Sequence, residues 1–193
     1  RIDLRAAEIA DIVGGKLIGS DVTVTAAPIF NSKAAVPGSI FLALVGENVD
    51  GHQYIPDAFA NGSVLAITTR EVPERCIVVN DVMAALNLLA TFVRASLPNL
   101  KVIALTGSQG KTTTKDLLSH ILSTVAPTVA PAGNFNNELG APITLLQCGA
   151  DTKFCILEMG ARHIGDIAKL CAMATPDIGA VLKVGSAHIG EFG

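Results

Sequence analysis

The sequence predicts an α/β protein: a small N-terminal α/β domain, then a mostly parallel, doubly wound sheet domain that carries a phosphate loop. Three observations predict this. In the second half, short apolar runs alternate with segments of helical period. One such run, Val102-Ile103-Ala104-Leu105, leads through Thr106-Gly107-Ser108-Gln109-Gly110-Lys111-Thr112-Thr113 into a helix-period segment. Between the halves, Leu97-Pro98-Asn99 punctuates the chain and sets the expected division at 1–98 and 99–193.

Composition narrows the class. Half of the 193 residues are hydrophobic and 16% are charged, so a substantial core is within reach and wholesale disorder is excluded. A formal charge of −3 provides no broad basic surface, which argues against a nucleic-acid partner. No apolar run reaches the ~18 residues that span a bilayer, so no membrane insertion is expected. The start Arg1-Ile2-Asp3 has no signal-peptide pattern, and the missing Met suggests a trimmed N-terminus. Cys76, Cys148, Cys155 and Cys171 have no C-x-x-C spacing and read as free thiols, which suits a reducing cytoplasm.

In chain order, residues 4–13 place Leu4, Ile9, Ile12 and Val13 on one helical face, and Gly14-Gly15 stops the helix. Lys16-Leu17-Ile18 and Val22-Thr23-Val24 read as short strands about the turn-like Gly19-Ser20-Asp21. Residues 39–44 form a buried strand, 46–52 a polar loop, and 54–60 a helix ending at Asn61-Gly62. Strands follow at 64–67 and 77–79, and Asp81 is placed to cap a helix reaching about Ser96. Beyond the boundary come strand 102–105 and helix 112–124, whose expected apolar face is Leu117, Leu118, Ile121, Leu122 and Val125. A short strand at 128–130, a polar loop at 131–137, helix 138–147, strand 154–157, helix 163–173 and strand 178–182 complete the alternation.

The chemistry concentrates at strand ends. Glycines let backbone N–H groups close on phosphate oxygens, and a helix start adds donors and a positive dipole end. Lys111 supplies a mobile positive charge, and the Thr112 hydroxyl is a Mg²⁺ ligand type. The loop is a short Gly-x-x-Gly-Lys-Thr, because Leu105 stands where the longer signature has its first glycine. Alone it is compatible with an ordinary turn; the strand before and helix after favour phosphate. Glu158 ends the buried run Phe154–Leu157, where a carboxylate can hold Mg²⁺ or cap the next helix. His188 follows the strand at 178–182 and brings a third functional group to the same rim. Gly133-Asn134-Phe135-Asn136-Asn137-Glu138 gathers amides suited to nucleotide or to capping. In the first half, Asn31-Ser32-Lys33 and Asp50-Gly51-His52 flank buried strands, as turns or as one binding rim.

Taken together, the loop 106–112, Gly133–Glu138, Glu158-Met159-Gly160-Ala161 and Gly185-Ser186-Ala187-His188 resemble the Mur ligases of peptidoglycan synthesis. The Asn-Phe-Asn-Asn-Glu run and the Glu-Met-Gly-Ala strand end are most like the branch that adds D-alanyl-D-alanine to UDP-N-acetylmuramoyl-tripeptide. Residues 38–44 and Asp50-Gly51-His52 extend the resemblance over nearly the whole chain. The resemblance implies an ATP- and Mg²⁺-dependent peptide ligase working through an acyl phosphate, cytoplasmic and monomeric. It assigns catalysis to Lys111, Glu158 and His188, and metal to Thr112, Glu158 and His188. Nucleotide would be held by Gly107, Ser108, Gln109, Gly110, Lys111, Thr112, Thr113, Asn134 and Asn137. Ser32, Lys33, Asp50, Gly51 and His52 would hold the UDP end of the substrate, in an N-terminal domain. The central ATP-binding domain would be incomplete here: a metal-bridging modified lysine and a dipeptide-binding domain would lie beyond Gly193, leaving 1–193 inactive alone. Departures accompany the match. Asn31-Ser32-Lys33 stands where relatives show Asp-Ser-Arg, and Lys lacks the two-pronged guanidinium fork. Lys183 replaces a common Asn, and Ser186 a common Pro. The alternatives are another Mur-type or folylpolyglutamate-type ligase, and a non-catalytic P-loop module.

Overall fold

The computed structural model describes residues 3–47, 49–131, 138–161, 163–183 and 185. The chain forms two compact units, one ending at Leu89 and the other starting at Ala90.

In the first unit, β1 (Leu4–Arg5) leads directly into α1 (Ala6–Val13). The helix starts two residues later than its periodicity predicts, because Leu4 and Arg5 pair antiparallel with β3 (Thr23–Val24). Its N-terminus is fixed by Glu8, whose carboxylate accepts from the Arg5 N–H at 2.8 Å. It ends at Gly14 in the left-handed conformation, φ 64°. The two strands flanking Gly19-Ser20-Asp21 do not pair with each other. β2 (Lys16–Ile18) instead runs antiparallel to β6 (Cys76–Val78), at the end of a sheet ordered β2-β6-β5-β4. In that sheet β4 (Ile40–Leu42), β5 (Leu65–Thr68) and β6 are mutually parallel. Phe41, Ala43, Ala66 and Cys76 pack there with Ile55 and Ala58 of α2 (Ile55–Ala60) in a buried cluster. Parallel strands covered by a helix read as continuous apolar runs, which is why they were legible in the sequence.

Asp81 caps α3 (Val82–Ala95), accepting from the N–H groups of Met83 and Ala84 at 2.7 and 3.1 Å. Such a cap contributes about 1 kcal/mol. The division between units falls inside this helix, ahead of Leu97-Pro98-Asn99. Its last turn belongs to the second unit: Arg94 donates to the carbonyls of Ala174 and Thr175 and to the Asp177 carboxylate.

The second unit is the all-parallel sheet β10-β7-β9-β8. β7 (Lys101–Thr106) lies between β9 (Phe154–Glu158) and β10 (Ile178–Val181), and β8 (Thr128–Val129) flanks β9. α4 (Lys111–Ser123) packs on β7, β8 and β9, while α5 (Gly140–Leu145) packs on β9 and on α6 (Asp166–Ala174). The apolar face of α4 is narrower than its sequence predicts. Leu118 and Leu122 join Ile103, Leu105 and Ile156 in the core, but Leu117, Ile121 and Val125 are exposed. The inward row of the helix is Lys115, Leu118 and Leu122, at i, i+3 and i+7; the leucines are partly buried, and the fully buried member is the lysine. All four cysteines are free thiols. Among the described residues no helix is long and apolar enough to cross a membrane.

Candidate functional site

In the second unit the candidate site is built where β7 becomes α4. Gly107 and Gly110 sit at φ 136° and 87°, in the region that favours glycine. A Cβ on Gly107 would also meet Leu182 Cβ at 3.1 Å, so the chain crosses there with no side chain to spare. The segment after β10 clasps the loop: Ser108 N–H donates to the Lys183 carbonyl at 2.9 Å, and Ser108 Oγ accepts from the Gly185 N–H at 2.9 Å. Gln109 forms an isolated bridge with Lys183. Lys111 reaches back across the loop and donates to the Gly107 carbonyl at 2.6 Å. Its ammonium is thereby held over the loop that the glycines leave open. Thr112 lies in the first turn of α4, and Thr113 beside it is exposed.

β9 pairs in register with β7, so Glu158 lies opposite Leu105, one residue before the loop begins. Its Oε2 lies 3.5 Å from Thr112 Oγ1, longer than a good O–H···O bond. Its Oε1 has no partner among the described residues, although the residue is fully buried. Burial raises the Glu158 pKa; the charge of Lys115, the Thr112 hydroxyl and Lys111 act against that rise. A desolvated carboxylate with one oxygen orphaned and the other near a hydroxyl is a donor set that a hard dication satisfies. Among the described residues no three His, Cys, Asp or Glu side chains gather, so further ligands of a Mg²⁺ there would be phosphate oxygens and water. The residues present fit that ion.

Lys115 escaped the sequence reading. It is buried, and its Nζ binds the Pro131 carbonyl at 3.1 Å and the Asp116 carboxylate at 2.8 Å. The signal was available, since Lys115 occupies the i−3 position of the row Leu118–Leu122. Asn134, Asn137 and His188 lie outside the described residues. Glu138 is described and exposed.

The first unit holds a pocket of about 700 Å³. Ser32, Lys33 and Gly51 line it, as does Asn31, whose side chain accepts from the Lys33 N–H at 3.0 Å. Asp50 and His52 are not in its lining; they bind each other, Nδ1 to Oδ1 at 2.6 Å. Arg70 and the two His52 N–H groups hold the Asp50 carboxyl well below the usual range. Sequence reading missed Phe30, Tyr54 and Asn61, which also line the pocket. Phe30 and Tyr54 are 39% and 42% exposed. Asn61 is tied by its Nδ2 to the Ser32 carbonyl at 3.1 Å. Two partly exposed rings, two amides, a hydroxyl and a lysine thus meet in one lining.

The family model described as Mur ligase middle domain matches residues 105–193, the segment that starts at the end of β7. The chain belongs to the Mur ligase family. It is 44% identical to the UDP-N-acetylmuramoyl-tripeptide--D-alanyl-D-alanine ligase of Mycobacterium tuberculosis H37Rv, over all of this chain and 43% of that protein. It is 35% identical to the ligase of the same name from Escherichia coli K12, again over its whole length and 42% of the relative. Among solved structures, MurF from Acinetobacter baumannii superposes with a TM-score of 0.89 at 36% identity, over 98% of this chain and 43% of that one. MurF ligase from Thermotoga maritima in complex with ADP superposes with a TM-score of 0.74 at 36% identity, over 86% and 39%. The chain thus spans less than half the length of the relatives it matches. The doubly wound α/β architecture of this Mur ligase chain is that of its structural neighbours.

Proposed function

We propose that this chain provides the phosphate site and the nucleotide-sugar pocket of an ATP-dependent ligase. The enzyme joins D-alanyl-D-alanine to UDP-N-acetylmuramoyl-tripeptide in peptidoglycan synthesis, in the cytoplasm. The observation that carries the reading is the approach of Thr112 to the orphaned, buried Glu158 carboxylate, directly beside the Lys111 loop. The ligases similar to it by name act on this nucleotide sugar and this dipeptide.

In the reaction, a carboxylate oxygen of the tripeptide attacks the γ-phosphorus of ATP and ADP leaves, giving an acyl phosphate. The dipeptide amine then attacks the acyl carbon, loses a proton, and inorganic phosphate departs. The loop N–H groups and Lys111 stabilise charge on the transferred phosphoryl group, with Lys111 first giving up its bond to Gly107. Thr112 and Glu158 would hold Mg²⁺, which when bound neutralises the phosphate oxygens. His188, Asn134 and Asn137 keep the roles that the family resemblance gives them. In the first unit, Phe30 and Tyr54 offer faces to a base, and Lys33 a charge to the diphosphate.

The test is phosphate release from ATP by the full-length protein carrying this chain. Release should require both UDP-N-acetylmuramoyl-tripeptide and D-alanyl-D-alanine. Equal release with a shorter acceptor plus a single amino acid would assign another Mur-type reaction. Release indifferent to any amine would refute ligation. The isolated chain 1–193 is expected to bind ATP and to form no amide.

A further inference from the structure

Asp50 and His52 stand beside the pocket, yet their polar atoms are already engaged. His52 is buried, and its Nε2 accepts from the Thr69 N–H at 3.2 Å. A backbone N–H can only donate, so Nε2 carries no proton and the ring proton sits on Nδ1. Nδ1–H then donates to Asp50 Oδ1 at 2.6 Å, and the His52 backbone N–H donates to the same oxygen at 3.0 Å. The other oxygen, Oδ2, accepts from Arg70 at 2.6 Å. Thr69 and Arg70 directly follow β5, so the network fastens the turn at Gly51–Tyr54 to the carboxyl end of a core strand. Gly51, between the two, donates its N–H to the Leu44 carbonyl at 2.8 Å. A Cβ there would stand 2.5 Å from that oxygen, so the wall is at backbone contact.

We infer that Asp50, His52 and Arg70 are positioning residues, which fix the Gly51–Tyr54 wall of the pocket without touching the ligand. The groups they present to it are the Gly51 backbone and the Tyr54 ring. The inference rests on reading the pocket as the nucleotide-sugar site. A neutral, tautomer-locked histidine fits this role, because it spans a backbone donor and a carboxylate with one rigid ring.

The experiment uses the full-length protein and compares His52→Ala, His52→Asn, Arg70→Ala and the pocket-lining control Tyr54→Ala. His52→Ala should raise KM for the nucleotide sugar about tenfold, with KM for ATP and kcat within about twofold. His52→Asn keeps a donor towards Asp50 and should recover most of the loss. Arg70 is exposed, so Arg70→Ala folds even where His52→Ala does not, and it should raise the same KM about threefold. If Tyr54→Ala raises that KM while folded His52→Ala and Arg70→Ala leave it unchanged, the positioning role is wrong and the pocket reading stands. If Tyr54→Ala is also silent, the pocket reading fails and takes the positioning role with it. A parallel rise in KM for ATP would mean general loss of structure and would overturn the inference.

Discussion

Replacing Glu158 by Gln separates a metal ligand from a structural carboxylate, because the two predict opposite results. The residue is fully buried, one oxygen has no partner among the described residues, and the other lies 3.5 Å from Thr112. No good hydrogen bond is lost on removing the charge, and the desolvation that raises its pKa is relieved. Apo stability should therefore stay level or rise. Liganded stability should fall. A charged contact of this kind is worth about 1.5–3 kcal/mol, so the variant should bind Mg²⁺·ATP about 10- to 100-fold more weakly. At a concentration about 100 times the parent's Kd, the nucleotide stabilises the parent by about 2.7 kcal/mol and the variant by about 0.4–1.4 kcal/mol. For a chain of this length 1 kcal/mol moves Tm by about 2–4 °C, so the nucleotide shift should drop from roughly 5–11 °C to a few degrees. The assay is thermal unfolding with ATP plus Mg²⁺, and again with ATP plus EDTA, where the two proteins should shift equally. A variant that keeps the full Mg²⁺-dependent shift, or whose apo Tm falls by more than about 6 °C (about 2 kcal/mol), would refute the assignment.

Lys111→Ala should abolish ATP-dependent turnover while the apo urea midpoint barely moves; unchanged turnover would remove the loop from the mechanism. Lys115→Met leaves the buried Pro131 carbonyl without its ammonium donor and should lower stability by about 1–3 kcal/mol in urea titrations. An unchanged midpoint would mean that the contact contributes nothing. Gly107→Ala forces a Cβ towards Leu182 at a positive φ, and should weaken nucleotide binding measured by calorimetry as well as stability. Asp177 gives a pH prediction. Lys101 first, then the Val102 N–H, hold its carboxyl below the ordinary 3.8, with burial opposing. A depressed carboxylate stabilises fully above its unfolded value and loses that contribution as pH falls through its folded value. Asp177→Asn should therefore flatten the acid limb of the stability profile below about pH 4, and an unaltered limb would count against the pairing.

The buried strands of the two four-stranded sheets were legible because they read as uninterrupted apolar runs, such as Ile40–Leu42 and residues 102–105 within β7. Pairing was not. Lys16–Ile18 and Thr23–Val24 look like neighbours across a turn, yet one joins β6 and the other β1, since partners distant in sequence leave no local mark. The proposed loop residues Gly107, Gly110, Lys111 and Thr112 stood out because a phosphate cradle imposes residue types at fixed spacing. The pocket wall was legible only as a motif. Asp50-Gly51-His52 was identified, but spacing cannot tell a side chain that meets a ligand from one that holds the backbone meeting it.

Lys115 and Glu158 carry that distinction into the proposed phosphate site. Apolar periodicity treats a lysine within a helix face as an interruption, and so places it in solvent. Here the interruption faces inward, and among the groups opposing the burial of Glu158 its charge acts most strongly. On the proposed metal role, a carboxylate desolvated to take a dication gains from a nearby positive charge while the dication is absent. Too close a charge would displace the ion. Lys115 is fastened instead to the Pro131 carbonyl and to Asp116, so its ammonium is committed elsewhere while its field still reaches Glu158. The cation that the sequence pattern discards is thus the one whose charge most opposes the rise that burial imposes on the Glu158 pKa.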